Sequence, residues 1–134
     1  MNFQKYIDLS LALFDPNYPL RCQHFTFVTK NGGKILAIGR NQNKFHSLNI
    51  KNPGICKNGD FFTKLSICSE FSALNRIKNT TQIKYNKLIL FNIRIDRNKK
   101  ICLSRPCNSC KSLLNWLGIK KIYYTDENGH FIKY

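Results

Sequence analysis

The reading of this chain turns on two short stretches, Cys68-Ser69-Glu70 and Pro106-Cys107-Asn108-Ser109-Cys110. Cys107 and Cys110 stand three apart where a helix is expected to begin, so both thiols face one side and can grip a single ion. Cys68, at the start of another expected helix, supplies a third thiol where the positive end of a helix dipole favours the thiolate. Three protein ligands and one open position are what a catalytic zinc requires. Glu70, two residues beyond Cys68, is then an acid beside the ion but not bound to it.

Working outward, the pattern around these stretches is that of a sheet with helices. Residues 3–14 carry Phe3, Tyr6, Ile7, Leu11 and Phe14 near helical spacing, ended by Asp15-Pro16-Asn17. Residues 22–29 and 34–39 read as two strands joined by the turn Asn31-Gly32-Gly33. A polar stretch at 40–64, with turn signals at Asn52-Pro53-Gly54 and Asn58-Gly59, is long enough to be a functional loop. Ile67, Phe71, Leu74 and Ile77 mark a helix over 66–78, and the apolar run 87–95 a central strand. Pro106 is expected in the first turn of a helix that carries Leu113, Leu114 and Leu117 and stops at Gly118. Strands at 119–125 and 130–134 complete the order. The expected fold is α/β: a single domain over 1–134, three-layer α/β/α, with a five-stranded mixed sheet flanked by helices.

Composition narrows the function. Twenty-two Lys and Arg against seven Asp and Glu leave a net charge of +15, and no acid stands between Asp15 and Asp60 or between Asp96 and Asp126. That excess attracts polyanions and makes their binding sensitive to salt. A chain rich in Lys, Asn and Ile reflects an AT-rich gene, which inflates Lys, yet codon bias does not remove acids. No apolar run is long enough to span a membrane, and the N-terminus lacks the pattern of a signal peptide, which points to the cytosol. There the six Cys read as ligands or small core residues rather than a disulfide framework. Cys22, Cys56 and Cys102, each alone in sequence, are expected as core residues.

Together the two motifs resemble the zinc-dependent cytidine-deaminase-like superfamily, whose C-x-E form matches Cys68-Ser69-Glu70 and whose P-C-x-x-C form matches Pro106 through Cys110. The superfamily's helix–strand–strand–helix–strand–helix order matches as well. The resemblance implies Zn2+ on Cys68, Cys107 and Cys110, with Glu70 as the catalytic proton carrier in a hydrolytic deamination. It also implies substrate contacts from Asn41, after the second strand, and from Arg105 with Ser104 ahead of the Pro-Cys pair. Tyr124, after the fourth strand, would form a wall of the base pocket. Ser69 beside Glu70, and His46 in the loop after Asn41, complete the expected substrate-binding set. His24 and His130 are expected to be ordinary strand or loop residues.

Two departures bear on the substrate. Small cytidine deaminases of nucleoside salvage carry a ribose-binding Glu just after the matching Asn, whereas Asn41-Gln42-Asn43 has no acid. Their first metal Cys also follows closely, whereas here 68 − 41 = 27 positions intervene. The basic loop suits a polynucleotide instead, with Arg40, Lys44, Lys51 and Lys57 on phosphates and Phe45, Phe61 and Phe62 stacking on unpaired bases. Arg40, Lys44 and Phe45 are the nucleic-acid contacts nearest the site. The expected function is thus cytosine-to-uracil deamination in DNA, single-stranded or with the base flipped out, with RNA a second partner. The chain resembles the small phage and bacterial members of the superfamily. Cytosine is favoured over adenine because adenosine deaminases of transfer RNA place His where Cys68 stands. Nothing in the sequence calls for a membrane or a protein partner. Two alternatives stay open: a free cytidine or dCMP deaminase, and a non-catalytic nucleic-acid-binding protein. The second would hold a closed structural zinc, completed by Cys102 or a His; separately, the C-x-x-C alone is open to reading as a redox pair.

Overall fold

The computed structural model describes residues 2–42, 68–77 and 83–134. Positions 43–67, and with them Lys44, Phe45, His46, Lys51, Cys56, Lys57, Phe61 and Phe62, lie outside the described residues. The elements in chain order are α1 (Phe3–Leu13), β1 (Gln23–Lys30), β2 (Ile35–Arg40), α2 (Ser69–Ile77), β3 (Leu88–Ile95), β4 (Ile101–Cys102), α3 (Asn108–Leu117), β5 (Lys121–Thr125) and β6 (Phe131–Lys133). A 3-10 turn at Tyr85–Lys87 leads into β3.

The sheet runs β2-β1-β3-β5-β6, with β4 paired to the end of β3. β1 is antiparallel to both β2 and β3, while β3 and β5 are parallel, joined by the crossover through α3. The sheet is therefore mixed, as expected, with six strands among the described residues where five were expected. The additional strand is β4, whose two residues pair with Arg94 and Ile95. It escaped the sequence reading because it is very short and its turn, Asp96 to Lys100, contains neither Gly nor Pro. Asp96 builds that turn by accepting from the Asn98 and Lys100 amides, each at 2.9 Å.

Alternation along β1 and β3 sorts the two cores. Phe25, Phe27, Ile89, Phe91, Ile93 and Ile95 point to one face and meet Tyr6 of α1. Tyr6 stacks on Phe91 with centroids 4.0 Å apart, and such contacts add about 0.5–1.5 kcal/mol beyond area burial. Val28, Leu88 and Leu90 point to the other face and are covered by Phe71, Leu74 and Ile77 of α2 and by Leu113 and Leu114 of α3. Among the described residues, one helix on one face and two on the other give three layers.

The helix ends follow local chemistry. Asn2 caps α1 by accepting from the Lys5 amide. Gly118 ends α3 in the left-handed region, at φ 81°, and the Ile119 amide reaches back to the Leu114 carbonyl at 3.0 Å. Pro106 is not in the first turn of α3. Cys107 is extended at φ −71°, ψ 167° and forms the cap itself, so the proline stiffens the approach to the helix rather than its first turn.

Candidate active site

On the face covered by α2 and α3, the strand positions change from apolar to polar partway along. β3 presents Leu88 and Leu90, then Asn92 and Arg94; β1, running antiparallel to it, presents Val28, then Thr26 and His24. The polar half lies at the carboxyl ends of the parallel strands β3 and β5, where open α/β sheets place their ligands.

Two helix N-termini converge there. The Cys68 carbonyl accepts from the Ser72 amide at 3.0 Å and the Cys107 carbonyl from the Lys111 amide at 2.9 Å, so each cysteine is the cap of its helix. The Cys68 and Cys107 sulfurs are 3.6 Å apart, and with Cys110 the three ligand atoms all lie within 4.8 Å of one another. Two thiolates bound tetrahedrally to zinc at about 2.3 Å would be about 3.8 Å apart, so the trio fits one ion. Cys110 is fully buried, whereas Cys68 and Cys107 are partly exposed.

Without a cation, Cys68 and Cys110 are held toward the protonated form. Cys68 is pushed up to about 12, first by its hydrogen bond with Cys107 and further by burial and the Glu70 carboxylate. Burial is the main cause that raises Cys110 well above its ordinary value, aided by hydrogen bonds from the other two thiols. A divalent ion reverses this balance by stabilising thiolates outright. Among the described residues no fourth Cys, His or carboxylate joins the cluster, and Cys102 stands apart from it. Among the described residues the cluster therefore offers three ligands, the number that leaves a fourth position for water at a catalytic zinc.

Glu70 sits in the first turn of α2 and is 4% exposed, and its Oε1 accepts from the Ser69 hydroxyl at 2.9 Å. Gly39 of β2 allows α2 to lie this close to the sheet. A Cβ there would run into the Ser69 carbonyl and the Ala73 amide, both main-chain groups that cannot turn aside.

The other expected residues fall in several places. Asn41 receives the His24 amide and donates to the Cys22 carbonyl, each at 2.9 Å, which ties the end of β2 to the start of β1. Ser104 is buried; its hydroxyl donates to the Asn92 carbonyl at 2.7 Å and receives the Thr125 amide, fastening β3 to β5. Arg40 donates to the Leu13 carbonyl at 2.6 Å and lies over Phe25 and Tyr18. Arg105 is exposed, with its guanidinium 5.3 Å from the Tyr134 ring centre; Tyr124 meets the same ring edge-on at 6.0 Å. Three residues that sequence reasoning missed are Tyr134, Thr26 and Asn92. Thr26 and Asn92 had a readable signal, as the polar positions that interrupt the apolar alternation of their strands.

No protein-family model matches the sequence, and no curated protein matches it. Two solved structures share its architecture. One is a cytidine deaminase from Mycobacterium leprae, with a TM-score of 0.56, 17% identity, and 99% of this chain aligned to 93% of that one. The chain has the cytidine-deaminase fold. The other is a mutant cytidine deaminase from Mycobacterium tuberculosis, with a TM-score of 0.51, 15% identity, and coverage of 97% and 86%. At these identities the likeness is one of fold. Within the cytidine-deaminase fold this chain brings together Cys68, Cys107 and Cys110, with Glu70 buried in the first turn of the helix that Cys68 caps. Among the described residues, no helix is long and apolar enough to cross a membrane.

Proposed function

We propose that this chain is a zinc-dependent deaminase that converts cytosine to uracil in DNA, acting on a single-stranded or flipped-out base. The observation that carries the reading is a buried carboxylate, Glu70, next to three convergent thiols in the cytidine-deaminase fold. Cys68, Cys107 and Cys110 would hold the zinc, which supplies a water of lowered pKa. Glu70 accepts the proton that this water loses and delivers it to N3 of the ring. A carbon–oxygen bond forms at C4, and a second transfer through Glu70 protonates the departing amine. The C4–N bond then breaks, giving uracil and ammonia from cytosine and water.

Support for a polymer substrate comes from charge. The +15 charge attracts a polyanion, and Lys30, Lys34, Lys84 and Lys87 line a groove of about 660 Å³ at the amino end of β3, the end away from Glu70, where a ligand extending well beyond the site would run. Asn41-Gln42-Asn43 also lacks the acid that would clamp a free ribose. Cys68 in the first ligand position favours cytosine over adenine. Nucleoside mass spectrometry after incubation with single-stranded DNA, duplex DNA, RNA, dCMP and cytidine tests this. Deoxyuridine arising in the DNA samples is the expected result. Conversion confined to dCMP or cytidine overturns the polymer substrate, and inosine products overturn cytosine. No conversion by a zinc-loaded protein overturns this reading in favour of a nucleic-acid-binding protein.

A further inference from the structure

Behind Glu70 three side chains from three elements form a line of hydrogen bonds. Ser69 Oγ is 2.9 Å from Glu70 Oε1, Thr26 Oγ1 is 2.7 Å from Ser69 Oγ, and Asn92 Oδ1 is 2.8 Å from Thr26 Oγ1. All are buried: Thr26 is 0% exposed, Ser69 2% and Asn92 3%. Thr26 lies in β1 and Asn92 opposite it in β3, so the two strands fix this pair through their register.

Polar groups in such a place are costly unless each finds a partner. A valine at position 26 would match the shape of threonine and remove the demand for partners. The threonine instead extends a polar line that ends on the carboxylate. Proton counting fixes its direction. An ionised Glu70 only accepts, so Ser69 gives it its single proton. Ser69 must then accept from Thr26, whose single proton is used in turn. Asn92 then presents its amide nitrogen to Thr26, a half-turn of the side-chain amide from Oδ1.

We propose that Thr26 and Asn92 are positioning residues for Glu70. They orient the Ser69 hydroxyl, which holds Oε1 and fixes the plane of the carboxylate at the reaction centre. The proposal rests on Glu70 being the proton carrier of the deamination. A carboxylate released from such a hold still sits in the site but samples unproductive orientations, which lowers the rate of the proton transfers and leaves substrate binding alone.

The test is steady-state kinetics on the substrate that wild type converts, together with zinc content and Tm. Thr26→Val is expected to lower kcat about 10- to 100-fold with KM and zinc content unchanged. Thr26→Ser, which restores the hydroxyl, is expected to recover most of the rate. Ser69→Ala is expected to show the same loss as Thr26→Val. Because both act through one carboxylate, the double variant should be no slower than the worse single one. If Thr26→Val fails to fold, Ser69→Ala and Asn92→Ala carry the same comparison. An active wild type with an unimpaired Thr26→Val overturns the positioning role alone, as do losses that multiply in the double variant or that follow lost zinc. A wild type that converts none of the substrates overturns the deaminase reading, and this role with it.

Discussion

Cys68 and Cys107, thirty-nine positions apart, each cap a helix, and their sulfurs meet 3.6 Å apart. The fold thus points two helix N-termini at one spot and places a thiol at the tip of each. Cys110, one turn into α3, closes the cluster from the buried side.

Removing that third thiol is expected to cost the metal. Cys110→Ala should carry far less zinc than the wild type after purification and dialysis against a chelator, measured by inductively coupled plasma mass spectrometry. Its deaminase activity should fall in step. Full zinc content in Cys110→Ala would exclude the three-thiol site.

The metal-free protein has a defined alkaline weakness. Cys68 is raised from 9.0 to about 12, first through its contact with Cys107. A group whose pKa is raised on folding adds stability below its unfolded value and loses it as pH climbs through the folded one. The Tm of the metal-free chain is therefore expected to fall between about pH 9 and about pH 12. Zinc needs the thiols deprotonated, so its affinity rises with pH over the range where they would otherwise be protonated. The zinc-loaded protein should show a shallower fall, as should metal-free Cys68→Ala. Parallel curves for all three would contradict this.

Gly39 controls the distance between the sheet and the helix that bears Glu70. Gly39→Ala forces a methyl group against the main chain at Ser69 and Ala73, with the Ala73 Cβ only 2.7 Å away. Overpacking of this kind typically costs about 1–3 kcal/mol, and more where backbone must move. A lowered Tm with reduced zinc content is expected in thermal melts of purified protein. A variant with wild-type Tm and zinc would show that α2 is not held there.

Lys30, Lys34, Lys84 and Lys87 line one groove. Exchanging all four for Gln should weaken binding of a single-stranded oligonucleotide. It should also reduce the slope of log K against log salt by up to about 3, from roughly 0.7 per phosphate contact. Fluorescence anisotropy over a salt series reads both. An unchanged slope would place the polyanion elsewhere.

The layered fold and the convergence of the three cysteines were legible in the sequence; finer features of the architecture were not. Cysteine spacing points to the cluster of Cys68, Cys107 and Cys110 that the fold brings together, and alternation in β1 and β3 reveals the two faces because burial imposes it. β4 was invisible, since two residues carry no periodicity and their pairing is set by the Asp96 turn. The cap position of Cys107, where a helix beginning at Pro106 was expected, depends on one pair of backbone angles that composition does not reveal. Thr26 and Asn92 are far apart in sequence and meet only through strand register, so their joint place behind Glu70 needed the structure. Tyr134 reaches Arg105 and Tyr124 because its amide bonds to the Ile122 carbonyl beside β5, a contact no local pattern signals.

If Glu70 carries protons at a zinc held by three cysteines, its amide variant keeps the metal and loses the reaction. Wild type and Glu70→Gln are purified alike, their zinc is quantified, and each is incubated with single-stranded DNA before nucleoside mass spectrometry. Equal zinc in both proteins and deoxyuridine from the wild type are the expected results. In Glu70→Gln the expected rate is lower by about 100-fold or more. An active, zinc-loaded Glu70→Gln would contradict that role.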